Sequence, residues 1–286
     1  MSQFTRRGEL LHWSDRSGST QGYLLDLKTG QSRQITEAAS LDRASLALSP
    51  DEKIAYYFDG PNLNESTHNR PIYQATAERR GMTVATDGSL LFAEGNKLIR
   101  LLKQRPAAIA EDEGIDLVMA RPRQGQIVYR SKAGVFLASL DGTGKRPLKL
   151  EPGQIGEILW TWSGRSLIYL HIPDDPKQLI TLRENVPDEN TDREIARTSQ
   201  FAAVNSNADA SVFTGASRGK ASAYVLILLR VTRRELTLCE HRASDANMVS
   251  PLFTPDSQSV LFVSDRHGKP ALYQVKVEKF VEPTPE

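Results

Sequence analysis

Three arginines, Arg43, Arg80 and Arg121, recur at or just ahead of the first strand-like run in successive stretches of the sequence. A guanidinium at such a place presents a planar fork of N–H donors that fits a carboxylate with two parallel bonds, so the ligand it selects is an acid. Imidazole offers a second chemistry, but only five histidines are present, and a three-histidine metal centre needs most of them to converge. Their settings argue otherwise: His12 lies inside a strand-like run, His171 ends one, His68 is in a polar loop and His267 in a turn. Cys239 is the single cysteine, which excludes an internal disulfide and any cysteine-based zinc site. No Gly-x-Gly-x-x-Gly follows a strand and opens a helix, and no Gly-x-Ser-x-Gly elbow is present, so phosphate-cradle and serine-hydrolase chemistry have no support.

The elements that must position these residues repeat. The clearest copy is Phe253-Thr254-Pro255-Asp256-Ser257, then Ser259-Val260-Leu261-Phe262-Val263, then Ser264-Asp265-Arg266-His267-Gly268, then Ala271-Leu272-Tyr273-Gln274-Val275. It reads as strand, tight turn, strand, second turn, strand, with Pro and Asp favouring the first turn and Gly268 supplying positive φ in the second. The same grammar runs from Phe4 to Leu27, including the turn Ser14-Asp15-Arg16-Ser17-Gly18. Counting last turn residues, Gly8, Glu52, Gly88, Gly125, Gly164, Ala210 and Ser257 give steps of 44, 36, 37, 39, 46 and 47, hence seven units. A period near 40 with three or four short strands per unit predicts an all-β, seven-bladed β-propeller with blades of about four antiparallel strands. It is expected as one domain over residues 1–286, with units near 1–40, 41–78, 79–114, 115–151, 152–196, 197–244 and 245–286. Two apolar runs, 98–102 and 224–229, are ambiguous by periodicity and become strands in the repeat. The acidic stretch 184–193 reads as a long polar loop, and Arg230-Val231-Thr232-Arg233-Arg234 as an exposed hairpin.

Composition limits the partners. Hydrophobic residues at 39% and charged residues at 25% fit a globular chain with a sizeable core. Lys and Arg number 36 against 35 for Asp and Glu, so no global field recruits nucleic acid or an anionic membrane. Two arginines near the N-terminus have no apolar run behind them, and no stretch reaches the roughly 18 apolar residues of a membrane span, so the expected compartment is the cytoplasm.

The order of these motifs resembles oligogalacturonate lyase, a TolB-like propeller family that splits unsaturated pectin fragments by β-elimination. The resemblance is strongest over residues 3–30, 136–164 and 253–273 and in Leu238-Cys239-Glu240-His241-Arg242-Ala243-Ser244; it is weaker over 75–126. It implies a manganese ion held by histidines and a glutamine just before inner strands, with a further histidine as base. Aligned on Phe253-Thr254-Pro255, two ligand histidines fall at Met248 and Ser250 and the glutamine at Asp245. Aligned on Phe201, the remaining ligand histidine falls at Gln200, and on Trp160 the base falls at Glu157. A substrate-binding arginine of the family falls near Gly134. The family also has a segment ahead of the first inner strand, whereas this chain starts at that strand, so an upstream stretch is expected to be missing.

The resemblance therefore implies a divergent propeller binding an acidic oligosaccharide in its central funnel, with catalysis reduced or altered. β-Elimination needs a base for the proton α to the carboxylate and a cation or arginine for the developing enolate-like charge. Glu157 is the candidate base, although a carboxylate of ordinary pKa near 4 is a weak one unless burial raises it. Arg43, Arg80, Arg121, Trp160, Gln200, His241, Asp245 and Ser250 are the candidate ligand-binding residues. No metal-ligating residue and no cofactor is assigned, with manganese left open and also a hard cation such as Ca²⁺ or Mg²⁺ on the oxygens of Glu157, Gln200, Asp245 and Ser250. The competing expectation is a TolB-like scaffold that binds a protein or peptide and does no chemistry.

Overall fold

The last residue of the first turn in each repeat is where L side chains rarely sit. A computed structural model describes residues 4–68, 70–175, 177–198, 201–217 and 223–277. In it Gly8, Glu52, Gly88, Gly164, Ala210 and Ser257 have φ between 57° and 81°. Each of these donates its N–H to the carbonyl three residues back, at 2.8 to 3.2 Å. Thr5, Ser49, Ala85, Thr161, Asn207 and Thr254 then close the hairpins by donating to Glu9, Ile54, Ser89, Ser166, Val212 and Ser259. A tight turn ending in a left-handed residue matches the twist of the strands it joins. The fourth turn closes earlier than the sequence expectation, at Gln124 rather than Gly125, and its left-handed residue is Arg123, at φ 62°. Pro122 occupies the second turn position and fixes its own φ, and Gln124 N–H closes on the Arg121 carbonyl at 3.3 Å.

The turns join seven antiparallel sheets of three or four strands, those of a seven-bladed β-propeller. Contacts divide the chain into two compact units, residues 1–148 and 149–286. The first unit holds four sheets. They begin with strands Leu10–Ser14, Ala47–Leu48, Arg79–Val84 and Leu117–Ala120, and each continues strand by strand in chain order. The second unit holds three sheets, beginning with Gln154–Trp160, Ala203–Ser206 and Leu252–Phe253. Five sheets have the expected four strands, and the first and last have three among the described residues. The two ambiguous apolar runs lie in strands Lys97–Leu102 and Tyr224–Leu229.

A small sheet cannot bury both faces alone, so the core lies between successive sheets. In the first unit Phe58, Leu63, Met82 and Phe92 fill one such layer and Leu91, Ile127 and Tyr129 the next. In the second unit Ile168, Leu182, Phe201, Phe213 and Leu228 form one layer, and Val225, Ile227, Phe253, Val260 and Phe262 another. Each such side chain contributes roughly 1.5–3 kcal/mol by leaving water.

The acidic stretch read as a long loop is instead a tight hairpin. Strand Ile180–Val186 runs through Glu184 and Asn185, and strand Thr191–Thr198 returns after a four-residue turn. Glu184 is only 5% exposed. Burial would push its carboxyl up, but Arg230 and Arg193 donate to it at 2.6 and 2.7 Å and hold it below its ordinary value. The charge pattern that reads as solvated loop is a compensated buried charge.

Gly215, paired with Val204 across the sixth sheet, sets how closely that sheet is approached. A Cβ at this position would stand 2.5 Å from the fully buried ring of Phe201. Gly215→Ala is expected to lower stability by roughly 1–3 kcal/mol through overpacking, read as the shift in a urea unfolding midpoint. An unshifted midpoint would contradict this packing.

Candidate functional site

The first strand of each sheet has one edge with no further strand of its own sheet beside it, and its N–H groups there need acceptors. Polar side chains of the preceding sheet supply them. In the first unit Thr83 Oγ1 accepts from Ala120 N–H at 3.4 Å. In the second, Glu157 Oε2 accepts from Val204 N–H at 2.8 Å and Asn205 Oδ1 from Phe253 N–H at 3.1 Å. Glu157 is turned toward Val204 by a bulge: the register passes from Ile155 opposite His171 to Ile158 opposite Tyr169, so Gly156 and Glu157 together face Leu170. The candidate base is therefore an exposed carboxylate with one oxygen committed to the next sheet.

The three arginines, expected at or just ahead of a first strand, differ in both place and environment: Arg43 precedes strand Ala47–Leu48, Arg80 lies within Arg79–Val84, and Arg121 instead follows Leu117–Ala120 as the first residue of the turn closed by Gln124. Arg80 precedes a bulge at Gly81 and is held by the Glu78 carboxylate through bonds of 3.1 to 3.2 Å. Arg121 is fully buried, with Nη1 donating to Gln126 Oε1 at 2.7 Å. Arg43 lies in the 3₁₀ turn Arg43–Ser45, and its guanidinium carbon stands 3.9 Å from the centroid of the Trp13 ring. Both Arg43 and Trp13 are exposed, Trp13 at 47%. Among the described residues no acceptor takes the Arg43 N–H groups, so it is the arginine of the three whose donors are available.

The remaining candidates separate. Trp160, the last residue of strand Gln154–Trp160, is buried. His241 is also buried: its N–H donates to the Ala223 carbonyl, its carbonyl accepts from Ser264 Oγ at 2.6 Å, and its Nδ1 accepts from Ala243 N–H at 3.0 Å. That imidazole fastens the chain between two strands. Asp245 is exposed and caps the 3₁₀ turn Ala246–Met248 by accepting from Asn247 N–H at 2.9 Å. Ser250 is exposed in the loop that follows. Gln200 lies outside the described residues. Trp13 is the residue that sequence reasoning missed. Its signal is slight: it sits at the end of an ordinary strand-like run, and its cross-strand partner is Gly22, which has no side chain to cover an indole.

No family model matches the sequence. The chain is 24% identical to the oligogalacturonide lyase of Pectobacterium atrosepticum over 96% of its own length and 87% of that protein's. Among solved structures it is similar to an oligogalacturonate lyase in complex with manganese, with a TM-score of 0.85 and 22% identity over 96% of this chain and 88% of that one. It is equally similar to oligogalacturonate lyase from Vibrio parahaemolyticus, at TM-score 0.85 and 20% identity over 97% and 89% of the two chains. TolB from Acinetobacter baumannii gives a TM-score of 0.53 at 13% identity, covering 90% of this chain and 73% of that one.

The residues present do not fit the imidazole-held manganese that the resemblance implies. Met248 offers a soft thioether where an imidazole is implied, and it packs against the core between the sixth and seventh sheets. Asp245 spends its carboxylate on a turn cap. Among the described residues no three His, Cys, Asp or Glu side chains converge in a way that could hold a metal.

The linking role of Glu157 is separable from its charge. Glu157→Ala leaves the Val204 N–H without that acceptor and is expected to cost about 1–3 kcal/mol of stability, whereas Glu157→Gln keeps an acceptor oxygen and should melt close to the wild type. Equal melting of the two variants would show that the bond contributes nothing.

Proposed function

We propose that this chain is a divergent propeller of the oligogalacturonate lyase kind that binds an acidic oligosaccharide, its elimination chemistry slowed by the loss of the metal. One observation carries the reading: the fold of the lyase structures is kept over 96% of the chain at a TM-score of 0.85, while Met248 packs against the core where the resemblance places a ligand histidine. The much weaker likeness to TolB, at 0.53, favours this reading over a scaffold without a small ligand.

The chemistry follows from what is left. A proton α to a uronate carboxylate must be taken by a base, and Glu157 is the carboxylate at the position that the resemblance gives to that role. The enolate-like charge that develops then has to be met by hydrogen-bond donors rather than by a Lewis acid. A metal in that role is worth several kcal/mol, so its loss slows elimination by on the order of 10³-fold. No helix among the described residues is long and apolar enough to cross a membrane.

The test is product formation from unsaturated digalacturonate, followed with EDTA and with added Mn²⁺. Slow turnover that is the same in both and disappears in Glu157→Gln is expected, the glutamine variant being the one that retains the bond to Val204. Turnover that depends on Mn²⁺ would overturn the reading, and so would an absence of both turnover and uronate binding.

A further inference from the structure

We infer that Trp13 and Arg43 form a subsite for one hexuronate ring, with the indole carrying the apolar C–H face of the sugar and the guanidinium carrying its carboxylate. The inference rests on the acidic-oligosaccharide reading above and gives it a place and a recognition chemistry. Trp13 is the only large apolar side chain that is exposed among the described residues of 1–148. A protein-docking patch needs a contiguous apolar surface, typically a few hundred Å², and a lone indole among polar neighbours does not make one. An indole with a guanidinium over its ring and nearly half its surface still exposed suits a ligand that is apolar on one side and anionic at one point.

Both halves of the pair are held in place before any ligand arrives. Trp13 is fixed in strand Leu10–Ser14 opposite Gly22. The 3₁₀ turn bearing Arg43 is capped by Asp42, which accepts from Ala44 N–H at 3.0 Å. It is tied down by Ser45, whose hydroxyl donates to the Asp42 carbonyl at 2.7 Å and accepts from Phe58 N–H at 2.8 Å. The guanidinium stacks over the indole 3.9 Å from its centroid, so much of its rotamer freedom is already lost. Among the described residues no protein acceptor takes its N–H groups. A single planar fork matches a carboxylate bidentately. The charge of Arg80, by contrast, is already met by Glu78, and Arg121 is fully buried.

Calorimetric titration of trigalacturonate, and of uncharged galactotriose as its neutral counterpart, separates the two contributions in the wild type, Arg43→Gln, Trp13→Ala and Trp13→Phe. Arg43→Gln is expected to weaken trigalacturonate binding by roughly 10-fold or more and to leave galactotriose unchanged. Trp13→Ala should weaken both sugars, and Trp13→Phe should recover part of the loss. If trigalacturonate binds the wild type and all three folded variants alike, the subsite is wrong and the functional reading stands. If the wild type binds no trigalacturonate, both fall.

Discussion

The open edge of the first strand in each sheet is the constraint on which the rest depends. An N–H left bare there costs more than most single contacts contribute, and a blade has no further strand of its own to offer. Thr83, Glu157 and Asn205 meet the demand by reaching from one sheet to the first strand of the next within each unit. These positions are therefore structural before they are chemical. A carboxylate at 157 serves the edge as an acceptor whether or not it ever takes a proton from a substrate, and the bulge at Gly156 exists to aim it. Chemistry in such a scaffold is added on top of a linking role, so a base can be altered or lost while the fold persists.

The same economy explains how the residues around Met248 differ from a metal-binding arrangement. A thioether packed against the apolar layer between two sheets makes the position one of packing, and among the described residues no three His, Cys, Asp or Glu side chains gather as a metal site. Asp245, three residues earlier, is taken up by the short turn that carries Met248. What remains available for an acidic ligand in the first unit is a guanidinium with unclaimed donors beside an exposed indole.

Much of the fold was legible because its punctuation is local. Six of the seven first turns end at the residue the sequence spacing marks; the fourth closes one residue earlier, with Pro122 at its second position and the positive φ at Arg123. The stretch around Glu184 misled for the opposite reason: its compensating partner Arg230 lies 46 residues away, so a buried ion pair looked like solvated loop. The candidate site was less legible still. Arg43, Arg80 and Arg121 read alike in the sequence, yet Arg43 precedes its sheet's first strand, Arg80 lies within one and Arg121 follows one and opens a turn, and their neighbours Trp13, Glu78 and Gln126 set their environments. Trp160 and His241 match the family's motif order yet are buried in packing and strand-fastening roles that no spacing announces.

The central claim is that this propeller keeps the lyase scaffold without its metal centre, and manganese itself reports on that most directly. Free Mn²⁺ gives a six-line paramagnetic resonance that broadens away when the ion is bound. Titrating the protein into micromolar Mn²⁺ at neutral pH should leave that signal undiminished beyond one equivalent of chain. Its stoichiometric disappearance would mean that a coordinating set forms after all, and would contradict the account.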